Sequence, residues 1–442
     1  MSRAAATAPM MPMTPIRYEP FWWDGIARPA IPELALPREI DIAVIGAGYT
    51  GLSTALTLAR AGRSVIVFEA EEPGTGASSR NQGQIGAAFK RSFSETAANY
   101  GREKAVAIYR EGQIAIEFLK SFIEREQIAC NFVRSGRFVA AYRAEDYQAL
   151  ARELEILKHA IGFNADMVPE AEQGREIGSA GYFGGQVRHD DATLQSAQYH
   201  AGLLDRARAS GAEIAGFTPV TALSRDGAGF IVRTGRGEVR ARNVMLATNG
   251  QTGPFAPWFR RRVIPMGAYG IATAKLTPEI VRRVLPTGRV VHDTRKLIHG
   301  IRLSPDKTRL IFGGRASMTE ADPRATAPRL YKMMVETFPD LAGVDITHSW
   351  MGYIAFTFSR LPHTGVHDGV HFAMGYCGSG IALATYLGHK SALKILGEAD
   401  SGTPFDDLPF ETRPFYTGTP WFAPPTLAYY RFKDNWPKPR AA

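Results

Sequence analysis

One ordered run near the N-terminus constrains this chain more than any other feature. Asp41 to Ile45 (DIAVI) is apolar and runs into Gly46-Ala47-Gly48-Tyr49-Thr50-Gly51. Leu52 to Ala61 (LSTALTLARA) follows, closed by Gly62, and then Ser64 to Phe68 (SVIVF) ends at Glu69. The apolar runs read as buried parallel strands and the middle segment as a helix, which makes one β-α-β unit. In such a unit Gly46 permits the tight turn out of the strand. Gly48 lets the backbone approach a pyrophosphate, and Gly51 lets helix and strand pack closely. The helix N-terminus presents N–H groups and partial positive charge to the phosphates. A carboxylate at Glu69 suits ribose hydroxyls and repels a 2′-phosphate. The order of these parts specifies a dinucleotide. Alone, it does not separate a nicotinamide from a flavin.

The chain has 442 residues, more than one hydrophobic core usually serves, so two domains are expected. After Glu69 the β-α-β rhythm stops at Gly74 to Gln84 (GTGASSRNQGQ). Residues 102–127 read as a helix, with Ala115, Leu119 and Phe122 on one apolar stripe. Gly136 to Tyr142 reads as a strand and Asp146 to Ile161 as a second helix, so this stretch belongs to a different domain. Residues 193–210 return to helix, and Gly211 to Ile214 starts a strand. Thr218 to Leu223, Gly229 to Thr234 and Glu238 to Ala241 read as a three-stranded meander. Asn243 to Ala247 reads as a separate buried strand leading to Thr248-Asn249-Gly250. Short strands dominate Arg262 to Arg315, with a turn at Ser304 to Lys307. Glycine-rich loops follow Trp350, and Ile381 to Leu396 reads as a helix. Residues 16–40 are aromatic and proline-rich, an arm across the body, and the last forty residues are expected to wrap the surface.

The first 15 residues lack an apolar core, so a frayed tail is expected rather than a secretory signal. No stretch is long and apolar enough for a membrane span. The net charge is +9, but only Arg260-Arg261-Arg262 clusters it, which argues against nucleic-acid binding. An anionic cofactor or substrate group accounts for part of the excess. Two cysteines, Cys130 and Cys377, exclude a disulfide scaffold and suit a reduced cytoplasmic setting. There is no CxxC and no HExxH, and the ten histidines are scattered, so no metal is expected.

Six segments, spread over almost the whole chain, carry a resemblance. They are Ile42 to Ala70, Gly76 to Gln84 (GASSRNQGQ), Leu246 to Gly250 (LATNG), Asp293 to Gly314, Trp350 to Gly365 and Gly375 to Gly380 (GYCGSG). Together they resemble the D-amino-acid oxidase superfamily of flavoproteins, within it the γ-glutamylputrescine oxidases and sarcosine-oxidase-like amine oxidases. The resemblance implies FAD and an α/β fold: a Rossmann-type FAD-binding domain with an antiparallel-sheet (α+β) substrate domain. It assigns 41–91, 206–261 and 349–400 to the first and 92–205 and 262–348 to the second, with 1–40 and 401–442 as extended arms. Beside Gly46 to Gly51, Glu69 and Ala70, it implies cofactor contacts at Ser78, Ser79, Arg80, Asn81, Gln82, Gly83 and Gln84. Arg80 would be a fixed cation near the flavin's pyrimidine edge. Val220 falls where the family's backbone meets adenine, and Thr248, Asn249 and Gly250 pass the cofactor. Gly375, Cys377, Gly378, Ser379, Gly380 and Ile381 form a glycine loop and helix start facing flavin O2.

The chain departs from the family in three places. Cys377 replaces a serine and Ser379 a histidine in the glycine loop, and Ser359 stands where an aspartate is usual. Cys377 reads best as a small buried hydrophobe. Met351 to Phe358 has no cysteine and Gly76 to Lys90 no histidine, so non-covalent FAD is expected. The implied activity is oxidation of a primary or secondary amine, such as a γ-glutamylated polyamine or an N-alkyl amino acid. A hydride passes to flavin N5, and the imine then hydrolyses. Two alternatives stay open: a dehydrogenase using an acceptor other than O2, and a non-catalytic flavin-binding protein. The substrate candidates are His299 as hydrogen-bond partner or base, Arg302 or Lys296 for a carboxylate, and Tyr269 as a pocket wall.

Overall fold

The computed structural model describes residues 11, 15–27, 31–319 and 322–436. Apart from Met11 and Pro15, the N-terminal tail lies outside the described residues. Two eight-stranded sheets organise the chain. In the first, the strands Val370–Met374, Gly237–Leu246, Glu39–Ile45, Val65–Phe68 and Glu213–Ala215 run parallel in that order. The strand ends Ile42–Ile45 and Val65–Phe68 are apolar and buried at every position because both faces are covered: Ile42, Val44, Val65 and Val67 pack with the helices, and Ala43, Ile45, Ile66 and Phe68 with the β-meander around Val220, Phe230 and Val239. His363–His367 closes one edge antiparallel to Val370–Met374.

The meander is present, but its last strand and the strand expected at Asn243 to Ala247 are one element, Gly237–Leu246. Its first half, Gly237 to Ala241, pairs antiparallel with Gly229–Thr234, while Arg240 to Leu246 pair parallel with Glu39–Ile45. Burial explains the split reading. The first half alternates, with Val239 and Ala241 inside, and the second is buried without interruption from Val244 to Leu246.

The second sheet runs Ile346–Phe356, Ile264–Thr273, Leu310–Gly314, Gly300–Leu303, Val290–Asp293, Arg137–Ala140, Gly185–Arg188 and Ala165–Val168. Its pairings are antiparallel except that Val290–Asp293 lies parallel to Arg137–Ala140. The strand Ile346–Phe356 carries this sheet past residue 349.

Several elements differ from the sequence reading. The first helix begins at Tyr49, not Leu52, which places Gly51 inside its first turn. Pro278–Val284 is a helix in a stretch that reads as strands; Thr277 caps it by accepting from Ile280 N at 3.4 Å, with Pro278 in its first turn. The C-terminal stretch holds a helix, Ala423–Asn435, docked through Ala423, Leu427 and Tyr430 on Ile264, Met266 and Leu297. Pro323–Thr337 is a further helix, in a stretch to which the sequence reading assigns no element.

The arm at 15–27 lies on the body. Arg17 N donates to Thr347 O at 3.0 Å, and Trp22 is fully buried against Trp350, Ala272 and Ile311. Among the described residues no helix is long and apolar enough to cross a membrane.

Candidate functional site

The glycine turn has the geometry its spacing predicts. Gly46 adopts φ +105°, and a Cβ there would lie 3.0 Å from Ala247 O. A Cβ on Gly51 would lie 1.9 Å from Gly46 O, so a side chain is sterically forbidden where the helix crosses the strand end. Gly48 is the N-cap in an extended conformation and offers no side-chain cap, so the helix end keeps its dipole and donors for a ligand. Tyr49 N does donate to Ser78 Oγ at 3.1 Å, which ties the turn to the GASSRNQGQ segment.

Glu69 is tied to the turn directly. One carboxylate oxygen accepts from Ala47 N at 2.8 Å, and the other accepts from Ala70 N at 2.8 Å and Glu71 N at 3.3 Å. Burial raises its pKa, against the lowering effect of those N–H groups. The oxygen that accepts from Ala47 N keeps a second lone-pair direction, so a ribose hydroxyl is compatible with these bonds. Thr218 N donates to Glu69 O at 2.7 Å, which brings the start of the strand at Val220 beside this end of the site. The Tyr49 ring faces away, with its hydroxyl donating to Ser196 O at 2.9 Å.

The second end of the site is built from three tied segments. Asn249 Oδ1 accepts from Gly375 N at 2.9 Å, joining the LATNG strand end to the glycine loop. A hydrogen bond of 2.6 Å between Thr50 Oγ1 and Tyr376 OH joins that loop to the first helix. Gly250 packs against Ala355, and Thr248 and Thr252 share a 2.8 Å hydrogen bond. The helix Gly380–Leu396 starts from Ser379 with no side-chain cap, because the Ser379 hydroxyl donates to Ala88 O at 3.0 Å instead. Ile381 is in its first turn. Neither helix N-terminus carries a side-chain cap, and the two helices touch, with Ser53 Oγ donating to Thr385 O at 2.7 Å.

The GASSRNQGQ segment crosses between the sheets. Ser79 Oγ accepts from Trp23 Nε1 at 2.8 Å, and Asn81 Oδ1 accepts from Gly83 N at 2.9 Å. Arg80 donates to Thr75 O and, at 3.3 Å, to Met351 O, and its guanidinium lies 4.8 Å from the Trp23 ring centre. The Gln82 side chain lies against Gly300 and Gly313 and accepts from Gln84 Nε2 at 3.0 Å. Among the described residues Gln84 Oε1 is buried with no hydrogen-bond partner, an orphan acceptor of the kind a bound ligand satisfies.

The substrate candidates separate. His299 is 6% exposed; its Nδ1 lies 2.9 Å from Arg295, its N donates to Asp293 Oδ1 at 3.0 Å, and its ring packs on Phe312. Burial pushes it down to about 4, so it is a neutral imidazole. Arg302 is 5% exposed and donates to Leu303 O, Gln82 O, Gly83 O and Leu194 O. Its guanidinium, lowered by burial to about 9, staples the GASSRNQGQ segment from beneath. The Lys296 side chain is exposed, and its N donates to Asp434 at 2.9 Å. Tyr269 is buried in register with Gly314 and Met351. Cys377 is 2% exposed, with φ +53°, and burial pushes its thiol up to about 11, the state of an inert thiol.

Sequence reasoning missed two contributors. His200 Nε2 donates to Ala47 O at 2.8 Å, behind the turn. Trp22 receives the Gln195 amide on its carbonyl at 2.6 Å and the Arg302 guanidinium 5.1 Å from its ring centre.

Residues 41–392 match the DAO family of FAD dependent oxidoreductases. The chain is 30% identical over 400 residues to the gamma-glutamylputrescine oxidoreductase of Escherichia coli, covering 89% of this chain and 93% of that one. In fold it is similar to glycine oxidase from Geobacillus kaustophilus, with a TM-score of 0.72 at 20% identity over 86% of this chain and 99% of that one. L-proline dehydrogenase from P. horikoshii gives a TM-score of 0.67 at 18% identity, over 84% and 98%. The chain therefore belongs to the DAO family of FAD-dependent oxidoreductases. The paired open helix ends, the Glu69 carboxylate and the orphan Gln84 acceptor fit that cofactor.

Proposed function

We propose that this enzyme oxidises a primary or secondary amine, with a γ-glutamylated polyamine or an N-alkyl amino acid as the substrate type. The observation that carries this reading is the 30% identity, across 89% of the chain, to an oxidoreductase named for gamma-glutamylputrescine. FAD, when bound, accepts the hydride equivalent from the carbon bearing nitrogen. The chain's own residues bind and orient. Gly46 to Gly51 with Glu69 and Ala70 hold the adenosine and pyrophosphate, with Val220 beside adenine. Ser78 to Gln84, Thr248 to Gly250 and Gly375 to Ile381 hold the flavin end. The substrate lies between the flavin and the second sheet, with Tyr269 on that wall. His299 and Arg302 support this wall and its loop from behind. The domain division at 41–91, 206–261 and 349–400 against 92–205 and 262–348 belongs to the same reading.

Anaerobic mixing with a panel of mono-, di- and polyamines, with and without a carboxylate, tests it. Loss of the visible flavin absorbance with at least one of them is expected; no bleaching across the panel would leave a flavin-binding protein without this chemistry. Repeating the productive reaction in air, with peroxide measured beside a dye acceptor, decides between oxidase and dehydrogenase.

Non-covalent FAD is part of the proposal, because the one cysteine near the loop is buried and protonated. Acid precipitation should release all the flavin into the supernatant, and yellow pellets would refute it. Glu69→Ala removes the acceptor of Ala47 N and of the ribose. It should weaken FAD binding about 10–100-fold, the loss of one or two charge-assisted hydrogen bonds, read by equilibrium titration of the apoprotein.

A further inference from the structure

Arg315 carries a guanidinium that the fold does not use. It follows the strand Leu310–Gly314, and alternation along that strand decides where it points. Ile311, Gly313 and Arg315 share one side. A Cβ on Gly313 would lie 1.9 Å from Gln82 Nε2, and one on Gly300, directly opposite, 2.8 Å from Gln82 Oε1. That side therefore faces the GASSRNQGQ segment. On the strand Ile346–Phe356 the same side carries Trp350, whose Nε1 donates to Arg80 O at 2.9 Å, and Gly352, where a Cβ would lie 3.5 Å from Arg80 Cβ. Ile354 and Phe356 continue it. The Arg315 guanidinium carbon lies 4.9 Å from the Phe356 ring centre, as this alternation requires. The carbonyl of Ala355, next to Phe356, accepts from Cys377 N at 2.9 Å. Arg315 thus stands on the wall that the crossing segment and the glycine loop both touch.

Its neighbours on this wall spend their charge on the protein. Arg302 serves buried carbonyls, Arg80 donates to Thr75 O and Met351 O, and Arg137 Nε lies 3.0 Å from Asp191 Oδ2. Among the described residues the Arg315 guanidinium donates no hydrogen bond and joins no ion pair. The side chain is half-buried, and desolvation is the largest influence on its charge. A cation partly stripped of water without an anion carries a cost that an incoming carboxylate offsets. The backbone beyond it is held: Ala316 O accepts from Arg431 Nη2 at 2.8 Å, and Met318 O from Gly267 N at 2.8 Å. The fork is therefore presented from a fixed base, with the guanidinium set over an aromatic ring.

We propose that Arg315 binds the carboxylate of an acidic amine substrate and sets the enzyme's preference for such amines. The two cations that the sequence offers for that role are placed elsewhere, Arg302 beneath the crossing segment and Lys296 with its side chain exposed. Two parallel N–H···O bonds fix both the position and the rotation of a carboxylate. The Phe356 ring beside the fork suits the aliphatic chain that joins carboxylate to amine. This assignment rests on the amine-oxidation reading above and narrows it to amines that carry a carboxylate.

Two pairs of amines test it, each pair differing only in a carboxylate: γ-glutamylputrescine against 4-aminobutyrylputrescine, and N-methylglycine against dimethylamine. In wild type, kcat/KM should favour the acidic member of the productive pair. In Arg315→Met that preference should shrink about 10²–10³-fold, the change lying in KM for the acidic member. Arg315→Lys keeps a charge without the fork and should recover part of it. Because the guanidinium serves no acceptor among the described residues, both variants should keep the wild-type melting temperature and flavin content. No preference for the acidic member in wild type, or an equal fall for both members in Arg315→Met, overturns the proposal.

Glutaramate has the carboxylate and amide of a γ-glutamyl group but no amine, so it gives a measurement without turnover. In equilibrium dialysis against the FAD-loaded wild type it should bind saturably, and uncharged butyramide should not. Arg315→Met should weaken glutaramate binding about 10²-fold or more. Binding that survives in Arg315→Met overturns the assignment, and so does its absence in wild type. If no amine bleaches the enzyme while glutaramate binding depends on Arg315, the oxidation reading falls and the anion site stands. Amine oxidation without that dependence removes Arg315 alone.

Discussion

Gly51→Val is expected to give a folded protein that no longer retains FAD. A Cβ at this position would lie 1.9 Å from Gly46 O, and Gly46 itself is held at φ +105° against Ala247. The first turn of the helix must therefore move away from the strand end. The donors at that turn then no longer converge on a pyrophosphate. Losing two charge-assisted hydrogen bonds at about 1.5–3 kcal/mol each weakens binding about 10²–10⁴-fold. The overpacking itself costs about 1–3 kcal/mol, within the stability of an ordinary domain. The variant should purify colourless, with wild-type far-ultraviolet circular dichroism and a lower urea midpoint. Yellow protein with full flavin occupancy would show that the turn tolerates displacement and does not hold the phosphates.

The nucleotide end of the site was legible in the sequence because its parts are local. Gly46, Gly48, Gly51 and Glu69 lie within one β-α-β unit, and spacing alone places them. The Gly375–Ile381 loop and Ser78–Gln84 were legible only through the resemblance, since what joins them is contact at long range: Tyr49 N to Ser78, Thr50 to Tyr376, Gly375 N to Asn249. No periodicity encodes such contacts. The substrate wall was the least legible. On a strand, alternation tells which face a residue takes but not whether that face meets a ligand or another segment of chain. His299 and Arg302 both carry functional chemistry, and both turn it on neighbouring protein. In the fold, the helix Pro278–Val284 carried a readable signal, a threonine cap before proline, overridden by the strand-like apolar residues around it. The C-terminal helix has apolar residues on both faces, from Leu427 and Tyr430 inward to Tyr429 and Phe432 outward. It lacks the one-sided stripe by which an amphipathic helix is recognised.

Arg302→Met separates the two roles the sequence left open for that residue. If Arg302 held a substrate carboxylate, its loss would raise KM for acidic substrates and leave stability and flavin binding alone. The contacts argue otherwise. One nitrogen, Nη1, donates to Gln82 O at 2.8 Å, Gly83 O at 3.2 Å and Leu194 O at 2.9 Å, and Nε donates to Leu303 O at 3.1 Å. These carbonyls are buried together with the guanidinium, and methionine, similar in length, satisfies none of them. Gly83 O keeps the Leu194 N–H at 2.9 Å, but the other carbonyls lose this donor, and buried acceptors left without donors cost about 1–3 kcal/mol each. Relaxation and water entry recover part of this, so a net loss of about 3–5 kcal/mol is expected. Gln82 and Gly83 belong to the GASSRNQGQ segment, so the damage should spread to the cofactor as well. The thermal midpoint should fall, FAD should dissociate more readily, and kcat should drop for acidic and non-acidic amines alike. Lysine in the same place restores the charge but not the several directed donors, so Arg302→Lys should recover little. A variant with wild-type melting temperature and flavin content, defective only in KM for carboxylate-bearing amines, would return Arg302 to the substrate pocket and require its guanidinium to leave the carbonyls it now serves.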